Sequence, residues 1–439
     1  MNNRMITTYG GISVDEITLF KTVYSTTTTA EDVIIPLFVG EIYDFRYRVD
    51  GGSWVNHSLD TLTINIPTAG DHTIDFDHKD GGLPAWRQNN SGDKTKIKDV
   101  TQWGSNVWAE DGLLKGFHGC SNLIVTATDT PDLSVTESLR DIFRGCTSLT
   151  VDVSSWDVSL ITSLYGMFNG CTSTIVLDVS LWDVSNVTIL REMFANCQSV
   201  LVLDVSSWTT TSLAGTMYRA FYKCQSVTSF DISSWDTSGV TTFTGMFQLC
   251  SSVISINVTG ISTAVLGSTA RMFSGCGLLT TVDVSGFSMS SVNSIESMFE
   301  GCSSLTSIDV STWVTTSLLN IDAAFSACTN LTTLDVSSWD VSLLTTAQQA
   351  FKDCTSLTTL DISTWDVSSV TVGSLLLVSN SLTTVVYDAF LINADSLTVQ
   401  SGVDWGFGNS VYTLGGAAET ARTNLITNDS WVITDGGGI

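Results

Sequence analysis

Charge is scarce in this chain, and basic charge scarcest. Only 14% of the 439 residues are charged, with 18 Lys and Arg against 44 Asp and Glu, for a net charge of −26. Such a surface repels nucleic acid and anionic membranes and suits solubility, dense display or cation binding. The chain has four histidines, His57, His72, His78 and His118, in no ligand or triad spacing; surface or hairpin roles are expected for them. No run of 18 apolar residues, the length that marks a membrane-crossing helix, occurs. The opening MNNRMITTYGGISVDEITLF lacks the apolar core and cleavage site of a signal peptide. The expectation is work inside a cell, or an exit by another route such as lytic release of virus particles.

No nucleophile elbow, phosphate loop or H-E-x-x-H is present, and no enzyme is expected. Asp75, Asp77 and Asp80-Gly81 fail the calcium-loop spacing and have no Glu at the twelfth position. No cofactor is expected; calcium is the one ion the acidic residues leave open.

What the chain does have is a repeat of about 26 residues. SLTSIDVSTWVTTSLLNIDAAFSAC (Ser304 to Cys328) is followed by NLTTLDVSSWDVSLLTTAQQAFKDC (Asn330 to Cys354). A repeat of this length is a supersecondary unit whose core is completed by its stacked neighbours. The ten cysteines, from Cys120 to Cys354, all occupy one repeat position, three residues after Phe. They read as a ladder of small buried thiols rather than as a disulfide or metal set. A tryptophan row (Trp156, Trp182, Trp208, Trp235, Trp313, Trp339 and Trp365, with Ile261 and Phe287 in its gap) reads as core stacking.

Leu305, Ile308, Val310 and Trp313 follow the spacing of leucine-rich repeats, with Trp where Asn is usual. Alternation points Ile308 and Val310 inward and Asp309 and Ser311 outward. The second half, as in Ile161, Leu164, Met167, Phe168 and Cys171, has 3–4 spacing and reads as a short helix. The fold class expected is therefore an α/β solenoid, with 26-residue leucine-rich-repeat-like coils, a parallel β-sheet, and a small β-sandwich in front.

Four segments follow. Residues 1–30 are an N-terminal arm or attachment segment, or equally a loosely ordered terminus. Residues 31–83, with strands at Val33–Phe38, Tyr43–Val49, Leu59–Ile66 and His72–Phe76 and a turn at Asp50-Gly51-Gly52, read as an immunoglobulin-like sandwich. Residues 84–377 form the solenoid, beginning with a first coil at Lys96–Val100 and Trp103. Residues 378–439 form a cap, with one more strand at Leu382–Tyr387.

The outward Asp row is the one candidate site. Asp178, Asp204, Asp231, Asp283, Asp309, Asp335 and Asp361, together with Asp152 and Asn257, recur on one sheet face about 4.8 Å apart. Like charges at that spacing should raise some carboxyl pKa values or collect cations. Alternating with Ser311, Ser337 and their equivalents, the carboxylates could bind sugar hydroxyls or calcium, or could simply satisfy neighbouring coils. A second row, Asp157, Asp183, Asp236, Asp340 and Asp366, is expected to cap or form turns.

The coils resemble those of BspA-type leucine-rich-repeat surface proteins (DUF285-like repeats), in their LDVSSWDVS-to-MFxxC pattern. Trp86-Arg87, Asn89-Asn90, Gly92-Asp93-Lys94 and Gln102-Trp103-Gly104 are similar to the block before the coils in that family. AAETARTNLITNDSWVITDGG is similar to its terminal cap. The resemblance covers roughly residues 70–439. It implies display and adhesion without catalysis, in bacterial or protist surface proteins, some of which look like products of phage genomes. The expectation is a virion surface protein of a phage tail, fibre or capsid, mediating adhesion or host recognition, with a bacterial surface or secreted adhesin as the alternative. Expected partners are other virion proteins through the N-terminal region and a host surface glycan or protein, without nucleic acid or membrane insertion, and with homo-oligomers open.

Overall fold

A computed structural model describes residues 8–9, 12–13, 19–36, 45–58, 61–78, 92–105, 108 and 113–439. The chain divides into two compact units, Met1–Ser212 and Leu213–Ile439.

The first unit opens with β1 (Thr8–Tyr9) and β2 (Ile12–Ser13), an antiparallel pair. β3 (Phe20–Thr26) alternates strictly, burying Phe20, Thr22, Tyr24 and Thr26. The further strands are β4 (Glu31–Pro36), β5 (Phe45–Val49), β6 (Val55–His57), β7 (Thr61–Ile66), β8 (Gly70–His78), β9 (Ile97–Gln102) and β10 (Ile124–Val125). Six of them form one sheet in the order β10-β9-β3-β8-β5-β6, while β4 and β7 pair separately. The expected Asp50-Gly51 turn joins β5 to β6. Both residues are left-handed (φ 49° and 70°) and the Gly52 N–H closes on the Val49 carbonyl at 2.8 Å, the geometry that matches strand twist in a hairpin.

This arrangement corrects two expectations. Residues 20–26, assigned to an arm, lie centrally in the sheet, paired antiparallel with β8 on one side and β9 on the other. The bounds expected for the immunoglobulin-like sandwich, residues 31–83, do not hold, since β3 and β9 of the same sheet come from outside that span. Tyr43 and residues 79–91 lie outside the described residues. β9 also serves as the first rung of the coils: β10 pairs with it in parallel, Ile124 to Asp99 and Val125 to Val100.

In each unit the coils follow one plan. The Asp half supplies parallel rungs, often a single residue wide: Val176 to Val202 in the first unit, and Ser307 to Thr333 to Thr359 in the second. Ile308 and Val310 face the core and Asp309 and Ser311 the solvent, as alternation predicts.

The expected helix is absent from the coils; the helices among the described residues are α1 (Thr384–Asp395) and α2 (Ala417–Thr427). The coils form a β-solenoid, not an α/β one. In the coil around Phe299, two residues are left-handed, Ser297 (φ 53°) and Gly301 (φ 73°). The N–H groups of Ser297, Phe299 and Gly301 each reach a carbonyl of the next coil at 2.8 Å, while those of Met298, Glu300 and Cys302 bond three residues back. Half of the donors thus leave the segment, which an α-helix does not permit. The same pair of left-handed positions, two before and two after the Phe, recurs at Gly166 and Gly170 in the first unit and at Arg271 and Gly275 in the second. The 3–4 spacing of Ile295, Met298, Phe299 and Cys302 still puts them all inside; the inward turn comes from alternating handedness.

The interior is a set of ladders. Phe rings stack coil on coil, at 5.8–6.0 Å from Phe117 to Phe194 and 5.3–6.0 Å from Phe221 to Phe351. The indole N–H of Trp182 and Trp208 donates to Val153 and Val179 of the preceding coil; Trp313, Trp339 and Trp365 do the same to Val284, Val310 and Val336. All ten thiols are free and buried. Those of Cys146 and Cys302 donate to the Phe117 and Phe273 carbonyls one coil back. Burial pushes the Cys146 and Cys302 thiols well up, and those of Cys250 and Cys354 to about 12, so thiolate chemistry is suppressed there.

The end of the second unit is closed by α1, α2 and short parallel pairs (404–406 with 432–434, 411–412 with 437–438). The strand expected at Leu382–Tyr387 is instead the start of α1. Thr383 caps it by accepting from the Val386 N–H, and Tyr387, Phe390, Leu391 and Ala394 make a buried helical stripe that overrides local β propensity.

The left-handed positions give a direct test. Gly170→Ala would set a Cβ 3.4 Å from the Gly145 Cα at φ +82° and is expected to destabilise by about 1–2 kcal/mol, read as a lower urea midpoint. Ala327→Gly, at φ 60°, is expected to leave the midpoint unchanged or raise it.

Candidate binding face

The Asp row is built by a local turn. In each Asp-x-Ser, the Asp Oδ1 accepts from the Ser N–H two residues on and, in most coils, from its hydroxyl. In the first unit this holds for Asp152, Asp178 and Asp204 with Ser154, Ser180 and Ser206, at 3.0–3.1 Å to nitrogen and 2.7 Å to oxygen. In the second unit it holds for Asp231, Asp283, Asp309 and Asp335, at 3.0–3.1 Å and 2.6–2.7 Å. Asp361 keeps only the bond from the Ser363 N–H, at 2.9 Å. Short polar side chains that close their own backbone favour this turn at every coil. Asn257 does the same with Thr259, so the turn needs the side-chain oxygen and not the charge.

These bonds set the electrostatics. The Ser hydroxyl and N–H hold Asp152, Asp283 and Asp335 below the usual carboxylate range; for Asp231 the Ser233 N–H is the larger cause. The expectation of raised pKa values in the row is therefore corrected at these four positions, because donors two residues away outweigh like-charged neighbours screened by water. The second row makes the same turn: Asp157, Asp183, Asp236, Asp340 and Asp366 accept from Ser159, Ser185, Ser238, Ser342 and Ser368.

The Asp face is grooved in both units. In the second, Asp309, Asp335 and Asp361 line a groove of about 690 Å³ with Ser307, Ser311, Thr333, Ser337 and Thr359; Thr383 and Val386, at the start of α1, also line it. In the first, Asp152 and Asp178 line a groove of about 570 Å³ among aliphatic residues. Asp204, Asp231 and Asp283 are exposed in the same turn but line neither groove. Among the described residues, the second carboxylate oxygens of Asp309, Asp335 and Asp361 take no hydrogen bond from the protein. The groove can thus offer acceptors and hydroxyls at regular spacing to an extended polar ligand.

The Thr and Ser residues of the rungs, and Thr383 and Val386, escaped the sequence reading; the available signal was the Ser or Thr two positions before Asp309, Asp335 and Asp361. Among the described residues no cluster of three or more His, Cys, Asp or Glu is placed to hold a metal ion. Asp75 pairs with Arg48 and Asp77 with Arg46, each at 2.7 Å. His72 is buried between Asp50 and the Thr68 carbonyl, at 2.8 and 3.0 Å, which corrects a surface role for it.

The sign of the pH dependence follows from the lowered pKa values. With folded values below the unfolded one of about 3.9, the contribution to stability is complete above that pH and lost as pH falls through the folded values. Ser285→Ala and Ser337→Ala are expected to raise the pKa of Asp283 and Asp335, measured by carboxyl-carbon NMR titration, and to move the acid unfolding midpoint upward. Unchanged pKa values would contradict the turn as their cause.

A family profile described as "Mycoplasma protein of unknown function, DUF285" matches residues 112–229, 172–279, 215–329 and 267–382. No curated protein and no solved structure matches the chain. The four overlapping matches span most of the coils, with the Asp-x-Ser turn, the Trp row and the Phe-x-x-Cys element inside them, and the chain belongs to the DUF285 repeat family.

Proposed function

We propose that this chain is a non-enzymatic surface protein that adheres to an extended ligand through its Asp–Ser face. The observation that carries the reading is the groove of Asp309, Asp335 and Asp361, in which the turn uses one carboxylate oxygen and leaves the other to a ligand. Membership of a repeat family with solenoid coils supports a surface or adhesion-like role. A groove of repeated, like environments offers no pair of carboxylates with divergent settings, which glycoside hydrolysis needs. The ligand class that fits is a host surface glycan or a polar protein segment. The net charge of −26 disfavours nucleic acid, and no helix among the described residues is long and apolar enough to cross a membrane.

Two settings follow. On a virion, as part of a phage tail, fibre or capsid surface, the N-terminal region would contact other virion proteins and the coils would meet the host. On a cell, the chain would act as an adhesin, and the family's description as a Mycoplasma protein favours this setting. Density-gradient fractionation with mass spectrometry separates them: sedimentation with capsid protein at fixed stoichiometry assigns the virion, and recovery with cell envelopes assigns the adhesin.

The binding reading is tested by Asp309→Asn/Asp335→Asn/Asp361→Asn. Asn supports the same turn at Asn257, so the thermal midpoint should hold. Retention on a glycan array and on intact cells should fall by about fivefold or more, a loss of about 1 kcal/mol. Unfolding of the variant, or retention equal to that of the parent, contradicts the proposal.

A further inference from the structure

The repeat breaks its own pattern at one place on the Asp face of the first unit. The two positions before the inward residue are Thr or Ser in most coils of the second unit, as Thr306-Ser307, Thr332-Thr333 and Thr358-Thr359, and one coil there carries a single aliphatic, Ile254, before Ser255. In two consecutive coils of the first unit they are Ile175-Val176 and Leu201-Val202. These four side chains are 55–71% exposed, and Leu181, where other coils carry Ser155 or Ser207, is 82% exposed. Val176 and Val202 are directly paired rungs. Ile175 and Val176 also line the groove of about 570 Å³ with Val151, and the same groove holds Asp152 and Asp178 but no Lys, Arg or His.

Nothing in the fold requires aliphatics here. Thr at the equivalent rungs pairs as well, from Thr333 to Thr359, and has the same β-branched shape. Contiguous exposed aliphatics rimmed by charge mark a contact surface. Their layout is specific: an aliphatic stripe runs along the stacking direction, with the carboxylates of Asp152, Asp178 and Asp204 in a parallel stripe two or three residues away, about 7–10 Å. The stripes repeat at about 4.8 Å per coil. One turn of α-helix advances about 5.4 Å, so successive turns of a helix laid along the stack meet successive coils.

We propose that this patch docks a basic amphipathic helix of a partner protein, its aliphatic side chains on Ile175, Val176, Leu201 and Val202 and its Lys or Arg residues on the Asp stripe. The inference rests on the reading that the Asp face binds, and names the partner chemistry for the first unit. Two complementary stripes, one apolar and one acidic, are what a helix with aliphatic residues at i, i+3, i+4 and i+7 and flanking cations recognises.

The experiment is fluorescence anisotropy of the full chain with a labelled 14-residue Leu/Lys amphipathic helix. Controls are its Leu/Glu counterpart and a Ser/Lys counterpart that keeps the charge and lacks the apolar stripe. The Leu/Lys peptide should bind, weaken with added salt, and lose about tenfold in affinity to Val176→Thr/Val202→Thr, through two exposed-to-buried methyls and two desolvated hydroxyls. The thermal midpoint of that variant should not move. Asp309→Asn/Asp335→Asn/Asp361→Asn should bind this peptide as the parent does, which separates failure of this site from failure of the wider binding reading. Equal binding of the Ser/Lys peptide, or no loss in the double Val variant, overturns the proposal. Self-association of the parent in sedimentation that disappears in the double Val variant would assign the patch to a second copy and overturn it as well.

Discussion

Each coil can close its backbone only onto its neighbours. The N–H groups two before the Phe, at the Phe and two after it point along the stack to the next coil's carbonyls, as Ser297, Phe299 and Gly301 do. They reach it because left-handed residues flank the Phe. The Trp indole and the Cys thiol follow the same direction in reverse, donating to carbonyls one coil back. A single coil would leave these donors unpaired and its Phe, Met and Cys in water, so the stack, and not the coil, is the folding unit. Buried free thiols fit this seam because they are small and apolar and add a weak donor where a carbonyl waits.

The same arrangement releases the outer face from structural duty. The Asp-x-Ser turn is closed within its own coil, using one carboxylate oxygen and a serine, and Asn257 shows that the negative charge itself is not needed for the turn. Side chains on this face can then vary without unseating the core. The second unit uses that freedom for Ser and Thr rungs beside Asp309, Asp335 and Asp361. The first uses it for Ile175, Val176, Leu201 and Val202. Inside, Trp, Phe and Cys vary little from coil to coil, because each must match the ladder above and below.

Much of this was legible in the sequence. The 26-residue period, the inward Ile308 and Val310, the thiol ladder and the Trp core could be read from spacing alone, since burial imposes that spacing in any stacked repeat. The second half of the coil was not legible as it stands. Ile295, Met298, Phe299 and Cys302 have helical spacing, and a left-handed break is signalled by the Gly before Cys in Gly119, Gly145, Gly170, Gly275 and Gly301 and by the Gly two before the Phe in Gly166 and Gly245. At Ala327 and Asp353 the same conformation is held by stacking without that signal. The pKa direction along the Asp row also escaped, because it depends on local donors whose geometry spacing does not give. The grooves depend on how rungs from separate coils align, and β3 depends on partners about 50 and 80 residues away.

Far-UV circular dichroism tests the central claim most directly. Among the described residues α1 and α2 hold 12 and 11 residues, so a helical fraction of about one residue in twenty is expected beside a dominant β and turn signal. A helical fraction near the roughly one-third usual in globular domains would mean that the Phe-x-x-Cys segments are helices, and would contradict a coil closed by left-handed residues and bonds to its neighbour.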